Sequence, residues 1–456
     1  MTGYWKLRIK ILLDHVSREL NFAAVIKRQI EANHSGYVEI SHQDYINSID
    51  NYDFFSKTFS GFFDILIIPS YNVNRTPEML LRAIASKSKI VIYHSEQLFN
   101  EQFDEEKLNL NYLEQYNQHI SAHLVWGEYY AKKLIEKANV NPENIYIVGN
   151  YKFDFLNDQT KESNRKSILI ASDFKLADLS DEELASFERT YDVRLPNNLN
   201  HTYLTARSKA LNWVSEFSNK FPEFEFILRP HPGESRIEYK GCANKCDNVI
   251  LSDSTTSYSD DLNACSLVLG FTSTSVLEVI NANKYMISMD LVAFDRSFLS
   301  SHDCLLDWKD KDSIIQYLEN LKGGNQNSFE PSPQQKKMFN EINIPTESVC
   351  NNVISACIDI SNSSDKTTTV LLKDIIPLTR CIYYGIAKYL LVKLSSKFPN
   401  NILSKKVINY STASYSKRKD EGEILNDEII DNELSKVTVI ESTYKRKKIT
   451  KFGWVF

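Results

Sequence analysis

Two stretches decide how the chain is read: residues 226–234, Phe-Ile-Leu-Arg-Pro-His-Pro-Gly-Glu, and residues 267–278, Leu-Val-Leu-Gly-Phe-Thr-Ser-Thr-Ser-Val-Leu-Glu. Each opens with a short continuous apolar run, the mark of a strand buried on both faces. Each then passes at once to polar groups able to hold an anion. Ile227-Leu228 ends a strand and delivers Arg229 and His231 to a loop where Pro230 and Pro232 fix the backbone and Gly233 permits a tight turn. Leu267 to Phe271 ends another, followed by the hydroxyls of Ser273, Thr274 and Ser275 and by a helix start. Free amides at a helix start carry partial positive charge and favour anions. Ser275-x-x-Glu278 also has the spacing of a capping box, which accounts for both residues structurally and leaves Ser273 and Thr274 for a ligand.

The same alternation of short apolar runs and helical patterns extends in both directions. Strands are predicted at Ser167–Ala171, Glu225–Leu228, Asn248–Leu251, Leu267–Leu269 and Tyr285–Met289, with helices at 205–220, 258–264 and 275–282. An earlier series reads Leu7–Leu13, Tyr37–Ile40, Asp64–Pro69, Lys89–Tyr93, His123–Trp126 and Ile145–Val148, with helices at 18–31, 76–86 and 129–137 and Ser17 as a cap for the first of these. Such alternation means parallel sheets covered on both faces, hence an α/β chain. The expected layout is a first Rossmann-like domain over residues 1–155, a polar linker near 157–165 and a second over 166–362, closed by a helical segment at 333–361. The two domains are expected to face a central cleft. A third region, 363–456, reads as a basic amphipathic helix over 370–398 followed by a flexible polar tail.

At 456 residues with 42% apolar and 25% charged residues, the chain is long enough for two proper cores. The net charge of -6 argues against a nucleic-acid binder, but it is unevenly spread. Residues 365–456 hold 17 Lys/Arg against 10 Asp/Glu, a net of +7, which leaves -13 on the rest. A basic tail on an acidic body points to an anionic surface such as the inner membrane face, or to a solvated linker. No signal peptide and no run long enough to span a membrane is visible, and the seven cysteines are scattered, so a cytoplasmic protein peripheral to the membrane is expected. Cys242-x3-Cys246 lacks partners for a zinc site, and the only Asp-x-Asp, Asp310-x-Asp312, stands in a charged stretch away from any predicted strand end. Neither a metal nor a cofactor is called for. Walker, Gly-x-Gly-x-x-Gly and Gly-x-Ser-x-Gly motifs are lacking too.

Arg-Pro-His-Pro followed some forty residues later by Gly-Phe-Thr-Ser-Thr-Ser-x-x-Glu resembles the donor domain of GT-B glycosyltransferases. Within these it most resembles the bacterial surface-carbohydrate biosynthesis group, related to capsule Kdo transferases and CDP-glycerol glycerophosphotransferases. Gly149 to Asp154 resembles the Gly-x-Pro-Arg-x-Asp stretch closing the first domain of those relatives, with Tyr151 and Lys152 in place of Pro-Arg. Asp14 to Glu19 and the His94-Ser95-Glu96 turn resemble their N-terminal loops. The resemblance implies that His231 and the Ser273–Ser275 turn bind donor phosphates and that Glu278 holds a ribose; Arg229, by its own chemistry, adds a fork of donors beside His231. The resemblance also implies a transferase moving a sugar or polyol phosphate from a CMP, CDP or UDP donor to a glycan or its lipid-linked precursor. A transferase also needs a base or a stabilising carboxylate on the acceptor side. Candidates at predicted strand ends are Asp14, His15, Glu19 and His94, with Asp253 in the second domain and Arg18 placed with them on the acceptor side; Glu96 is preferred as base because it follows the most apolar central strand. A non-hydrolysing nucleotide-sugar epimerase and an inactive assembly protein that keeps the fold are the alternatives.

Overall fold

A computed structural model describes residues 7–14, 16–42, 62–69, 88–98, 117–156, 166–191, 198–231, 234–253, 256–293, 305–323, 331–343, 348–363 and 427–436. It divides into two compact units. The first takes in Met1–Gln97, Asn109–Tyr151 and Asn343–Phe456; the second, Leu98–Leu108 and Lys152–Ile342.

Among the described residues the first unit has a parallel six-stranded sheet: β1 (Arg8–Leu13), β2 (Tyr37–His42), β3 (Ile65–Ile68), β4 (Lys89–Tyr93), β5 (Ile120–Val125) and β6 (Ile145–Ile147), in the order β2-β1-β3-β4-β5-β6. Ile9 pairs with Val38 on one side and Ile65 on the other, and all three are fully buried. Lys10 interrupts the apolar run of β1 without breaking the sheet, because its buried ammonium reaches Glu39 and Ser41 on the neighbouring strand. A buried charge is tolerated when paired in this way.

Helix Val16–Asn33 follows β1 and starts ahead of Ser17, so Ser17 lies within it and is not its cap. Helix Val349–Asn362, expected to close the second domain, belongs instead to the first unit. Asn352 Nδ2 donates to the Val148 carbonyl at 3.0 Å, and the Lys89 ammonium reaches the carbonyls of Ile360 and Ser363 at its carboxyl end. The boundary expected at residue 362 therefore falls near Asn343. The expected flexible tail contains a further helix, Asp427–Lys436, packed on helix Val16–Asn33. The helices predicted at 76–86 and 370–398 lie outside the described residues, as does the 157–165 linker.

The second unit's strands are β7 (Lys166–Ala171), β8 (Phe224–Arg229), β9 (Val249–Leu251), β10 (Leu267–Gly270), β11 (Tyr285–Met289) and β12 (Asp307–Lys309). All are parallel, in the order β12-β11-β10-β7-β8-β9. The chain thus winds outward from β7 to β9 and returns to build the other side from β10. Such a sheet binds ligands beyond the carboxyl ends of its strands, at the point where the winding reverses, here between β7 and β10. β12 is an edge strand that the sequence reading missed. Asp310 follows it directly and caps helix Lys311–Lys322 by accepting from Ser313 N at 2.8 Å, so the Asp-x-Asp stands at a strand end after all.

Candidate functional site

In the second unit the expected donor residues gather at one edge because all of its strands are parallel. β7 ends in Ser172-Asp173-Phe174, β8 in Arg229-Pro230-His231, and β10 in Phe271-Thr272-Ser273. The loops flanking β7 are tied to it by side chains. Thr272 Oγ1 donates to Asp173 Oδ2 at 2.9 Å, across the reversal point. Glu234, buried, accepts from the backbone amides of Phe174 (2.8 Å) and His231 (3.1 Å), and from the hydroxyls of Ser172 and Tyr239. Burial pushes the Glu234 carboxyl up, while the bonds from Ser172, Tyr239 and Phe174 pull it down. Burial, then Glu234, raise the Tyr239 phenol. Sequence reasoning missed Glu234 as a linking residue. Its only signal was an acid closing the Pro-His-Pro-Gly turn.

Arg229, expected beside the phosphates, is engaged within the protein. The guanidinium pairs with Asp261, donates to the carbonyls of Thr256 at 2.9 Å and Ser257 at 3.3 Å, and reaches Ser252 Oγ at 3.3 Å. Its fork fastens the loop ahead of helix Tyr258–Ala264. A strand end that delivers an arginine to a loop looks the same in sequence whether the fork meets a ligand or a neighbouring loop.

The capping box is also absent. Ser275 sits in right-handed helical backbone with no side-chain cap, and the helix it precedes, Val276–Asn281, is short. Ser273 Oγ instead donates to Ser275 Oγ at 2.8 Å and accepts from Ser275 N at 3.2 Å. Glu278 is therefore buried for another reason: Lys152 Nζ lies 3.3 Å from its Oε1. Lys152 belongs to this unit although it stands next to the end of the first, and the sequence reading assigned it no partner. Burial, with Glu278 second, pushes the Tyr258 phenol up beside it.

In the first unit, Arg18 Nη1 is 2.8 Å from Glu96 Oε1, which joins the helix after β1 to the turn after β4. Glu19 is buried and accepts from the Asp14 amide at 2.6 Å. Beside them Tyr151 is buried against Phe22 and Tyr93, and burial followed by Glu19 pushes its phenol well up. Asp14, Arg18, Glu19 and Glu96 thus form one polar cluster with Glu96 held in an ion pair. His94 does not share its surroundings. It is buried, with Nε2 3.0 Å from His123 Nδ1 and Nδ1 3.3 Å from the Tyr130 hydroxyl. Burial lowers both imidazoles, His123 to about 3. His94 is an interior group. His15 lies outside the described residues.

No protein-family model matches the chain, and no curated protein matches it in sequence. The likeness found is to solved structures, in fold. The wall teichoic acid polymerase TagF aligns over 78% of this chain and 89% of its own, at 10% identity and a TM-score of 0.50. The UDP-GlcNAc 2-epimerase from Neisseria meningitidis, solved with UDP-GlcNAc bound, aligns over 78% of this chain and 99% of its own, at 12% identity and a TM-score of 0.45. The fold is of the GT-B type, built from two Rossmann-like domains. It is the fold that the Arg-Pro-His-Pro and Thr-Ser-Thr-Ser stretches led us to expect. Among the described residues, no helix is long and apolar enough to cross a membrane.

Proposed function

We propose that the chain is a nucleotide-donor-dependent transferase that moves a sugar or polyol phosphate to a surface glycan or its lipid-linked precursor. The observation that carries this reading is the edge beside β7, where Asp173–Thr272 and Glu234 tie the His231 and Ser273–Thr274 loops to a common strand end. In this reading the His231 imidazole and the Ser273 and Thr274 hydroxyls donate to the donor phosphates. They oppose the charge that grows on the phosphate oxygens as the bond to the transferred group breaks. Glu278, oriented by Lys152 through one oxygen, accepts from the ribose hydroxyls with the other. On the acceptor side, Glu96 serves as base and Arg18 fixes its direction, with Asp14 and Glu19 in support. The TagF likeness supports a nucleotide-activated polyol among the donors to be tried. The charge of residues 365–456 supports contact with an anionic membrane surface.

The test is a thermal-shift panel of CMP, CDP, UDP and GDP on the wild type and on His231→Ala, since a ligand that binds only the folded state raises stability. At least one pyrimidine nucleotide is expected to stabilise the wild type and to lose about tenfold or more in affinity for His231→Ala, the scale of one lost charge-assisted contact. A flat panel, or equal affinity in the variant, rules the donor site out.

A further inference from the structure

The geometry points to Glu234 as the residue that positions His231, an inference that rests on the donor-site reading and assigns a task inside it. Four groups converge on this one buried carboxylate. Oε1 accepts from His231 N (3.1 Å), Phe174 N (2.8 Å) and the Ser172 hydroxyl, and Oε2 accepts from the Tyr239 hydroxyl. These donors come from three places: the loop after β7, the loop after β8 and helix Ile237–Ala243. The carboxylate is therefore a node and not an ordinary turn residue.

Its placement has a physical reason. Where two adjacent parallel strands end, the ladder stops and the next amides have no strand partner. A buried amide left without an acceptor is costly. Ser172 N still finds the Arg229 carbonyl at 3.1 Å, but Phe174 N and His231 N lie beyond the ladder, and Glu234 Oε1 accepts from both. The Glu234 amide in turn donates to the His231 carbonyl at 2.9 Å. His231 is thus held through both its amide and its carbonyl by one residue. Asp173, between Ser172 and Phe174, accepts from Thr272. Glu234 thereby fixes the height of the His231 backbone relative to the Thr272–Thr274 turn on the other side of β7. Its carboxylate has no part in contacting the nucleotide. It acts through His231.

A double-mutant cycle separates this role from general support of the fold, because residues that act through one another show non-additive effects. The affinities of CDP and UDP are measured for wild type, Glu234→Ala, His231→Ala and the double variant, with circular dichroism as the check on folding. Glu234→Ala is expected to weaken binding about tenfold or more, and the double variant to bind no more weakly than His231→Ala alone. Glu234→Gln, which keeps an acceptor oxygen for the two amides, is expected to recover most of the affinity and also serves if the alanine variant does not fold. Fully additive losses, wild-type affinity in Glu234→Ala, or no recovery in Glu234→Gln overturns the positioning role. If His231→Ala weakens binding while Glu234→Ala does not, only this inference falls. If the wild type binds neither nucleotide, the donor reading falls and this inference with it.

Discussion

Acidification should loosen the first unit through the buried pair His94–His123. The two rings stack with centroids 5.4 Å apart, and Nε2 of one meets Nδ1 of the other at 3.0 Å. With the Tyr130 hydroxyl donating to His94 Nδ1, one consistent chain of protons runs Tyr130 to His94 to His123. Both Nδ1 atoms are then acceptors in use, so a further proton breaks a bond as well as burying a charge. Burial holds His123 at about 3 in the folded state, against the ordinary 6.5 of an exposed ring. The folded value is depressed, so the contribution to stability is fully present above pH 6.5. It is lost as pH falls from there toward 3, where only the unfolded chain takes up the proton.

Between pH 7 and pH 5 this linkage removes about 2 kcal/mol through His123 alone. His94 acts in the same direction. That is a sizeable share of the roughly 5–15 kcal/mol by which domains are stable. The assay is urea unfolding at pH 7, 6 and 5, read by pulsed hydrogen exchange in the β5 segment so that the first unit is followed by itself. His123→Phe is expected to flatten the dependence of stability on pH by roughly 1 kcal/mol per pH unit between pH 6 and 5. The variant is also less stable throughout, because His94 loses a buried partner, so the slope carries the test. Equal slopes in wild type and His123→Phe would refute the reasoning.

Arg229→Met removes the partner of Asp261, whose side chain is only 10% exposed, and should cost about 3–5 kcal/mol, seen as a lowered melting temperature. A variant that melts like the wild type would mean that the guanidinium is not the fastening of that loop. Lys89→Met takes the ammonium from the carbonyls of Ile360 and Ser363 and should cost about 1 kcal/mol, a fall of a few degrees in a thermal melt. No change there would deny Lys89 a capping role. Vesicles containing anionic lipid should float the full chain at low salt but not a version lacking residues 365–456, whose net charge is +7. Equal flotation of both removes the membrane proposal.

The position of the candidate site's loops was legible because strand ends announce themselves. Pro-His-Pro-Gly can hardly continue a strand, and Gly-Phe-Thr-Ser-Thr-Ser passes from a buried run to polar groups within two residues. What those polar groups touch was not legible. Arg229 and His231 are two residues apart, yet the former turns to Asp261, 32 positions on, while the amide of the latter meets Glu234. Ser275 and Glu278 have the spacing of a capping box, but Ser275 adopts helical backbone and so cannot serve as the box's serine. Lys152, 126 positions before Glu278, comes beside it only through the fold. β12 escaped because Asp-Trp-Lys on a half-exposed edge shows no apolar run.

The sequence by itself determined the two series of parallel strands, since burial on both faces demands short unbroken apolar runs. It also determined that anion-binding types of residue follow two of them. Only the tertiary structure decided which strand ends are neighbours. Strand order places β10 next to β7, and β7 next to β8, although 95 residues separate the ends of β7 and the start of β10. It likewise assigned helix Val349–Asn362 to the first unit, where its end finds Lys89, 271 positions before Ile360. Hydrogen bonds and ion pairs act over a few ångströms, so their partners depend on what folding brings close, which local patterns of polarity do not record.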